Sequence, residues 1–313
     1  MIREDAVAPV LAAMLVLAVF VTFFAVWNAS AVPAMKEQAE VSHLQEVESG
    51  ILRFSSDIES AASSQNSMKL SKRIPLGGGD VLFSSTKSGG VLTVQDEGDY
   101  MWIRLYNASP PSSSSLVRND TCQLANFSYY PVGNFWQDQG YAWSHGYVNV
   151  TKAALAPTPL EVQTMDKVDY KVTRALFSAR SYPNPADPPN CSVIIIKGVT
   201  IRAAGSGTSV SGNGMGTLDL TSSSLPPEVY SNVTLLNVWF NSTESSGNTP
   251  PLFRQALHES VNSSINASVL APVCRNIRFD EVNSKDGTIW VTINSTPPVT
   301  VIRETTEIIL DTN

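Results

Sequence analysis

Three histidines, three cysteines and a few acidic turns are the side chains that could do chemistry in this 313-residue chain. His43, His145 and His258 stand far apart, with neither an H-E-x-x-H nor an H-x₃₋₅-H spacing to gather a metal. A hydrolase of the nucleophile-elbow kind needs G-x-S-x-G between a strand and a helix, and no such setting occurs. Gly205-Ser206-Gly207 and Gly212-Asn213-Gly214 lack the following helix that would cradle a phosphate. Asp280, Glu281 and Asp286 are the hard oxygen donors that calcium takes, but without the spacing of a known loop, so solvated turns account for them better. Cys122, Cys191 and Cys274 share no C-x-x-C spacing and are too few for a disulfide framework. One bridge plus a free thiol fits them, and so do three buried thiols. The expectation is a structural protein, with no catalytic, cofactor-binding or metal-binding residues.

The chemistry most legible here is done to the chain, not by it. Asn-x-Ser/Thr occurs at Asn28, Asn107, Asn119, Asn126, Asn149, Asn190, Asn232, Asn241, Asn262, Asn266 and Asn294, which is 11 of the 20 asparagines. That exceeds chance even for a Ser/Thr-rich chain. It points to N-glycan acceptors on an extracytoplasmic surface. Asn28 stands against an apolar segment and is set aside. A second concentration, Tyr129-Tyr130, Phe135-Trp136, Tyr141 and Trp143, could be a sugar- or partner-binding platform. Rings at this density more often form the core of a β body. The net charge of −7 argues against nucleic acid, which needs a basic surface.

The elements that must carry these residues begin with a long helix. Ala6 to Trp27 contains no charged or amide side chain. As a helix this run is roughly 33 Å long, matching a hydrocarbon core of about 30 Å. It exceeds the apolar core of a secretory signal, and a helical pattern continues beyond it. Val41, Leu44, Val47, Ile51, Phe54, Ile58 and Ala61 step by three and four, which predicts one stripe on an amphipathic helix. Pro33 sits at the junction, where a missing amide should kink or loosen the helix.

Glu4-Asp5-Ala6-Val7-Ala8-Pro9-Val10, followed by this unbroken apolar helix, resembles the N-terminus of archaeal type IV pilin-like proteins. Ala8 stands where that family usually has Ser. The resemblance implies a filament-core helix, here including Asp5, Pro9, Leu15, Val19 and Phe23. It also implies an acidic residue, Glu4 or Asp5, that neutralises the N-terminal amine of a neighbouring subunit. The family's peptidase usually cuts after a basic and a small residue. Only Met-Ile-Arg precedes Glu4, with no Gly or Ala after Arg3, so removal of residues 1–3 is left open.

From about Met68 the pattern becomes short β-branched and aromatic runs bounded by Gly, Pro, Asn and Ser. The predicted strands are Asp80–Phe83, Gly90–Val94, Tyr100–Tyr106, Tyr141–Ser144, Tyr147–Val150, Tyr170–Phe177, Ser192–Ile201, Gly216–Leu220, Thr234–Phe240, Arg275–Val282, Thr288–Ile293 and Val299–Leu310. Asp286-Gly287 predicts a tight hairpin, and Pro251 to Val261 predicts one short helix. Stretches 109–115, 183–189, 205–216 and 242–251 read as loops.

The fold class expected is α+β: a long hydrophobic-then-amphipathic helix over 1–64 and a mostly antiparallel β-sandwich-like body over 65–313. That body divides, if at all, near 155–190. The function expected is a pilus-like filament subunit with a glycosylated outer body, membrane-held before assembly and homo-oligomeric through its helix. The alternative is a monomeric single-pass surface or adhesion protein.

Overall fold

The structure is a computed structural model. It describes residues 7–64, 66–78, 88–107, 115–134, 138–152, 155–160, 175–205, 207–240, 257, 259–261, 263–264, 274–283 and 289–313. Asp5, Asn241, Asn262 and Asn266 lie outside the described residues, as do the predicted strand Asp80–Phe83 and the Asp286-Gly287 turn.

Helix α1 runs over Val7–Val26 and α2 over Val32–Ser64, joined by a π-helical turn at Trp27–Ala31. Pro33 offers no amide to the carbonyl of Ala29, and its ring crowds that carbonyl. The backbone widens there instead of stopping, with the Val32 amide reaching back to the Trp27 carbonyl. Ser30 Oγ also donates to the Val26 carbonyl at 2.8 Å, a back-bond that bends helices. The loosening expected at Pro33 thus falls one turn earlier, and the helix continues.

In α2 the buried residues are Glu40, His43, Leu44, Val47, Gly50, Ile51, Phe54, Ser55, Ile58, Ala61 and Ala62. The stripe from Leu44 to Ala61 is the predicted one. Its upper end is not: Val41 is exposed, and the polar Glu40 and His43 face inward.

Among the described residues, thirteen strands join one continuous sheet, not two stacked ones. They are β1 (Met68–Pro75), β2 (Gly89–Tyr106), β3 (Leu116–Val132), β4 (Gln139–Ser144), β5 (Tyr147–Lys152), β6 (Leu155–Pro159), β7 (Phe177–Asn184), β8 (Asp187–Ala203), β9 (Thr208–Gly212), β10 (Met215–Ser224), β11 (Glu228–Phe240), β12 (Ile277–Asn283) and β13 (Ile289–Thr312). The main path is β1-β10-β13-β11-β2-β3-β4-β5-β6. All pairings are antiparallel except β8 with β13.

Strand β13 organises the sheet. Its first half lies between β11 and β12, and its second half is flanked by β10 and β8. Pro297-Pro298 predicts a break between two strands here. The structure places the pair where β11 shifts register between Val233 and Leu235, so two missing amides cost little ladder bonding. Strand β8 stays paired with β13 from Val193 to Ala203 and lies against β2 and β3 as it does so: Tyr100 Oη donates to the Val199 carbonyl at 2.8 Å. A Cβ on Gly198 would stand 3.3 Å from Cys122 Sγ, so only a small residue lets β8 lie this close.

Other differences are local. Two predicted runs fuse into β2, with register shifts between Asp96 and Gly98 and between Asp99 and Met101. Residues 175–176, predicted as strand, form a helical turn ahead of β7. Stretch 205–216, predicted as loop, contains β9, which pairs with β2. Stretch 183–189, predicted as loop, is mostly strand: β7 runs to Asn184 and β8 starts at Asp187, which leaves a two-residue turn at 185–186. The short helix is present at residues 257, 259–261 and 263–264, with Leu257 and Val261 buried.

Candidate functional site

Two surfaces concern function: the bare helix α1 with its seat on the sheet, and the far end of the sheet. In α1, Pro9, Leu15, Val19 and Phe23 are all exposed, and so is every other large apolar side chain from Val10 to Trp27. The apolar surface runs round the whole helix. Burying one such side chain is worth about 1.5–3 kcal/mol, so α1 cannot rest in water.

The seat of α2 begins with Phe54, whose ring meets Phe127 edge-on at 5.2 Å between centroids. Phe127 stacks in turn on Trp143 at 5.5 Å. Tyr129, Tyr141 and Trp143 are fully buried, which supports the core reading of that aromatic concentration. Tyr130 points out, and Phe135 and Trp136 lie outside the described residues. Tyrosine hydroxyls then hold the polar part of the seam. Tyr129 Oη donates to the Leu76 carbonyl at 3.1 Å, which leaves it to accept from His43 Nε2 at 3.0 Å. Tyr141 Oη donates to Glu48 Oε2 at 2.9 Å and accepts from Gln139 Nε2 at 2.9 Å. Burial pushes both phenols well above their ordinary range, and the Glu48 carboxylate adds to this at Tyr141. Burial pulls His43 below its ordinary value, with Glu46 opposing. Glycine makes the close fit possible: a Cβ on Gly90 would stand 2.4 Å from the Tyr129 ring and 2.5 Å from the Leu76 carbonyl.

One cluster has the residue types of a hydrolase. Ser144 Oγ lies 2.6 Å from His145 Nδ1 and 2.5 Å from Glu97 Oε1, and Glu97 Oε2 is 3.5 Å from that same Nδ1. A nucleophile relay needs serine and carboxylate on opposite ring nitrogens. Here both meet one nitrogen, and His145 is only 7% exposed. The cluster latches a hairpin turn. His145 (φ 53°) and Gly146 (φ 89°) make the tight β4–β5 connection, and Asn126 Nδ2 ties Glu97 to β3 at 3.3 Å. Burial lowers the His145 pKa, with Glu97 pulling the other way.

Sequence reading missed this latch, because Glu97 is remote in the chain. It also missed the charge tie at Arg303. This buried guanidinium pairs with Asp120 and reaches Glu228 Oε2 at 3.8 Å, joining β13, β3 and β11. No group of three or more metal-ligating side chains gathers among the described residues.

Cys191 and Cys274 form a disulfide, and Cys122 is free and buried. Asn276 clips the bridge: its Oδ1 accepts from the Cys191 amide and its Nδ2 donates to the Cys191 carbonyl, both at 2.8 Å. Burial pushes the Cys122 thiol up to about 11, against the pull of Arg303.

The sequons sort by exposure. Asn107, Asn119 and Asn232 are exposed; Asn126, Asn149, Asn190 and Asn294 are half-buried. Asn126 and Asn190 spend their Nδ2 on Glu97 and Asp187. The three exposed sequons gather at one end of the sheet. Asn107 follows the last residue of β2, Asn119 pairs with Arg104, and Thr234, two residues beyond Asn232, bonds the Tyr106 carbonyl. Strand β2 starts beside Tyr129 and His43 near the α1 end, so these sequons stand at the opposite end. Comparison of the chain with protein-family models, curated proteins and solved structures returns no match.

Proposed function

We propose that this chain is the structural subunit of an archaeal type IV pilus-like extracellular filament, polymerising through α1 and displaying a glycosylated β body. One observation carries the reading. A helix apolar on every face runs without a break into a helix seated on the chain's own sheet. A lipid anchor needs only the apolar length. A filament also needs each body held at a fixed angle to its core helix, and the Phe54, Tyr129 and Tyr141 contacts supply that rigidity. Packing of α1 against copies of itself is a heterologous contact that does not close, which gives a fibre.

Within this proposal Asp5 or Glu4 balances a neighbour's amine. Asn107, Asn119 and Asn232 carry sugars at the outer end, and the chain waits in the membrane through α1 before assembly. Electron microscopy of sheared surface material, labelled with antibody to the β body, tests it. Labelled filaments support the proposal. A chain that stays wholly with the membrane supports a monomeric surface or adhesion protein.

A further inference from the structure

Arg104 and Asn119 face each other across β2 and β3, and Arg104 Nε donates to Asn119 Oδ1 at 3.0 Å. A guanidinium can only donate, so the amide must turn its oxygen toward Arg104. Nδ2, the atom that takes a glycan, occupies the other branch, and Asn119 is exposed. Strand β4 joins β3 only from Phe127 onward, which leaves the approach to Asn119 from that side open among the described residues.

The same guanidinium lies over the Trp239 ring, 4.9 Å from its centroid. Trp239 meets Trp102 at 4.9 Å, with the planes tilted by 41°. Trp102 pairs across the strands with Thr121, the residue that completes the Asn119 sequon. Diagonal neighbours of this kind are about 7–8 Å apart, within reach of a first sugar. Both rings are half-buried.

We propose that this patch is the seat of the chain's own Asn119 glycan. Its proximal sugars lie against Trp102, which Trp239 backs, and Arg104, held over Trp239, presents the acceptor amide and donates to sugar hydroxyls. The C–H faces of a sugar ring are apolar and slightly positive, and an aromatic face is negative. The glycan also covers the open edge of β3, which would otherwise be a template for strand pairing. This inference rests on the reading of a glycosylated body.

The test uses the full chain purified from its native surface fraction. Glycopeptide mass spectrometry reads the occupancy of Asn119. Acrylamide quenching of tryptophan fluorescence is then compared between wild type, Thr121→Ala, which strips Asn119, and Ser109→Ala, which strips Asn107. The expected result is an occupied Asn119, a rise in quenching with Thr121→Ala, and no rise with Ser109→Ala. The rise is lost when Trp102 and Trp239 are both replaced by Leu. Ring-current shifts of the proximal sugar protons in the wild-type glycoprotein report the same stacking without any substitution. An unmodified Asn119 beside other occupied sequons overturns the seat and leaves the glycosylated body standing, as do unshifted sugar protons with unchanged quenching. If no sequon is occupied, both fail.

Discussion

Phe54 on α2 and Phe127 on β3 meet edge to face, their centroids 5.2 Å apart and their planes at 79°. Both side chains are fully buried, and they fix the middle of the helix to the middle of the sheet. Phe54→Ala removes this contact and leaves a cavity, at a cost of about 3–5 kcal/mol. Denaturant unfolding of the detergent-solubilised chain should show the unfolding free energy fall by that amount, read as a lower midpoint at an unchanged slope. A loss below about 1 kcal/mol would mean that α2 is held elsewhere.

Acid should weaken the fold through two buried imidazoles. Burial lowers His145 and His43 in the folded chain, with Glu97 and Glu46 opposing. The unfolded chain therefore takes up protons first as pH falls through about 6.5. The stability these rings contribute is whole above that value. It is lost as pH falls from there through the lower folded values. The denaturant midpoint should drop on going below about pH 6.5. His145→Asn, which tolerates the left-handed turn, combined with His43→Gln should flatten that part of the profile. A midpoint that rises on acidification in this window would contradict the assignment.

The cysteines predict two different behaviours. The bridge spans 83 residues of chain, and Cys274→Ser should cost about 2–5 kcal/mol. Cys122, buried with its thiol pushed up to about 11, should resist alkylation in the native chain at neutral pH. Alkylation followed by peptide mapping should find Cys122 alone after unfolding without reductant, and all three cysteines after reduction. Labelling of native Cys122 would overturn its place behind β8.

Much of the helix was legible because its pattern is local. Leu44 to Ala61 follow the helical period, and the sheet takes that stripe. Val41 was assigned to the stripe because it is apolar, whereas the seam admits Glu40 and His43, the latter through a partner, Tyr129, that lies 86 residues away. The long β3 was not legible. Its start, Leu116-Val117-Arg118-Asn119-Asp120-Thr121, carries turn-forming and charged residues, and it forms by pairing with β2 along its whole length. Thr208–Gly212 likewise reads as a Gly/Ser loop and becomes β9 only because Gly90–Val94 lies beside it. The latch at Ser144, His145 and Glu97 left one local sign, His145-Gly146 between two aromatic strands, and its carboxylate is set by tertiary packing.

The central claim is that α1 packs against copies of itself. The most direct measurement is electron microscopy of sheared surface material from cells carrying either wild type or Leu15→Asp, with the membrane fraction probed in parallel. Leu15 is 68% exposed in the single chain, so the substitution spares the chain's own core. A carboxylate in an apolar bundle costs several kcal/mol per subunit unless paired. The account predicts abundant filaments from wild type and none from Leu15→Asp, with the variant body still folded. Long filaments of Leu15→Asp, or a wild-type chain found only as membrane-held monomer, would contradict it.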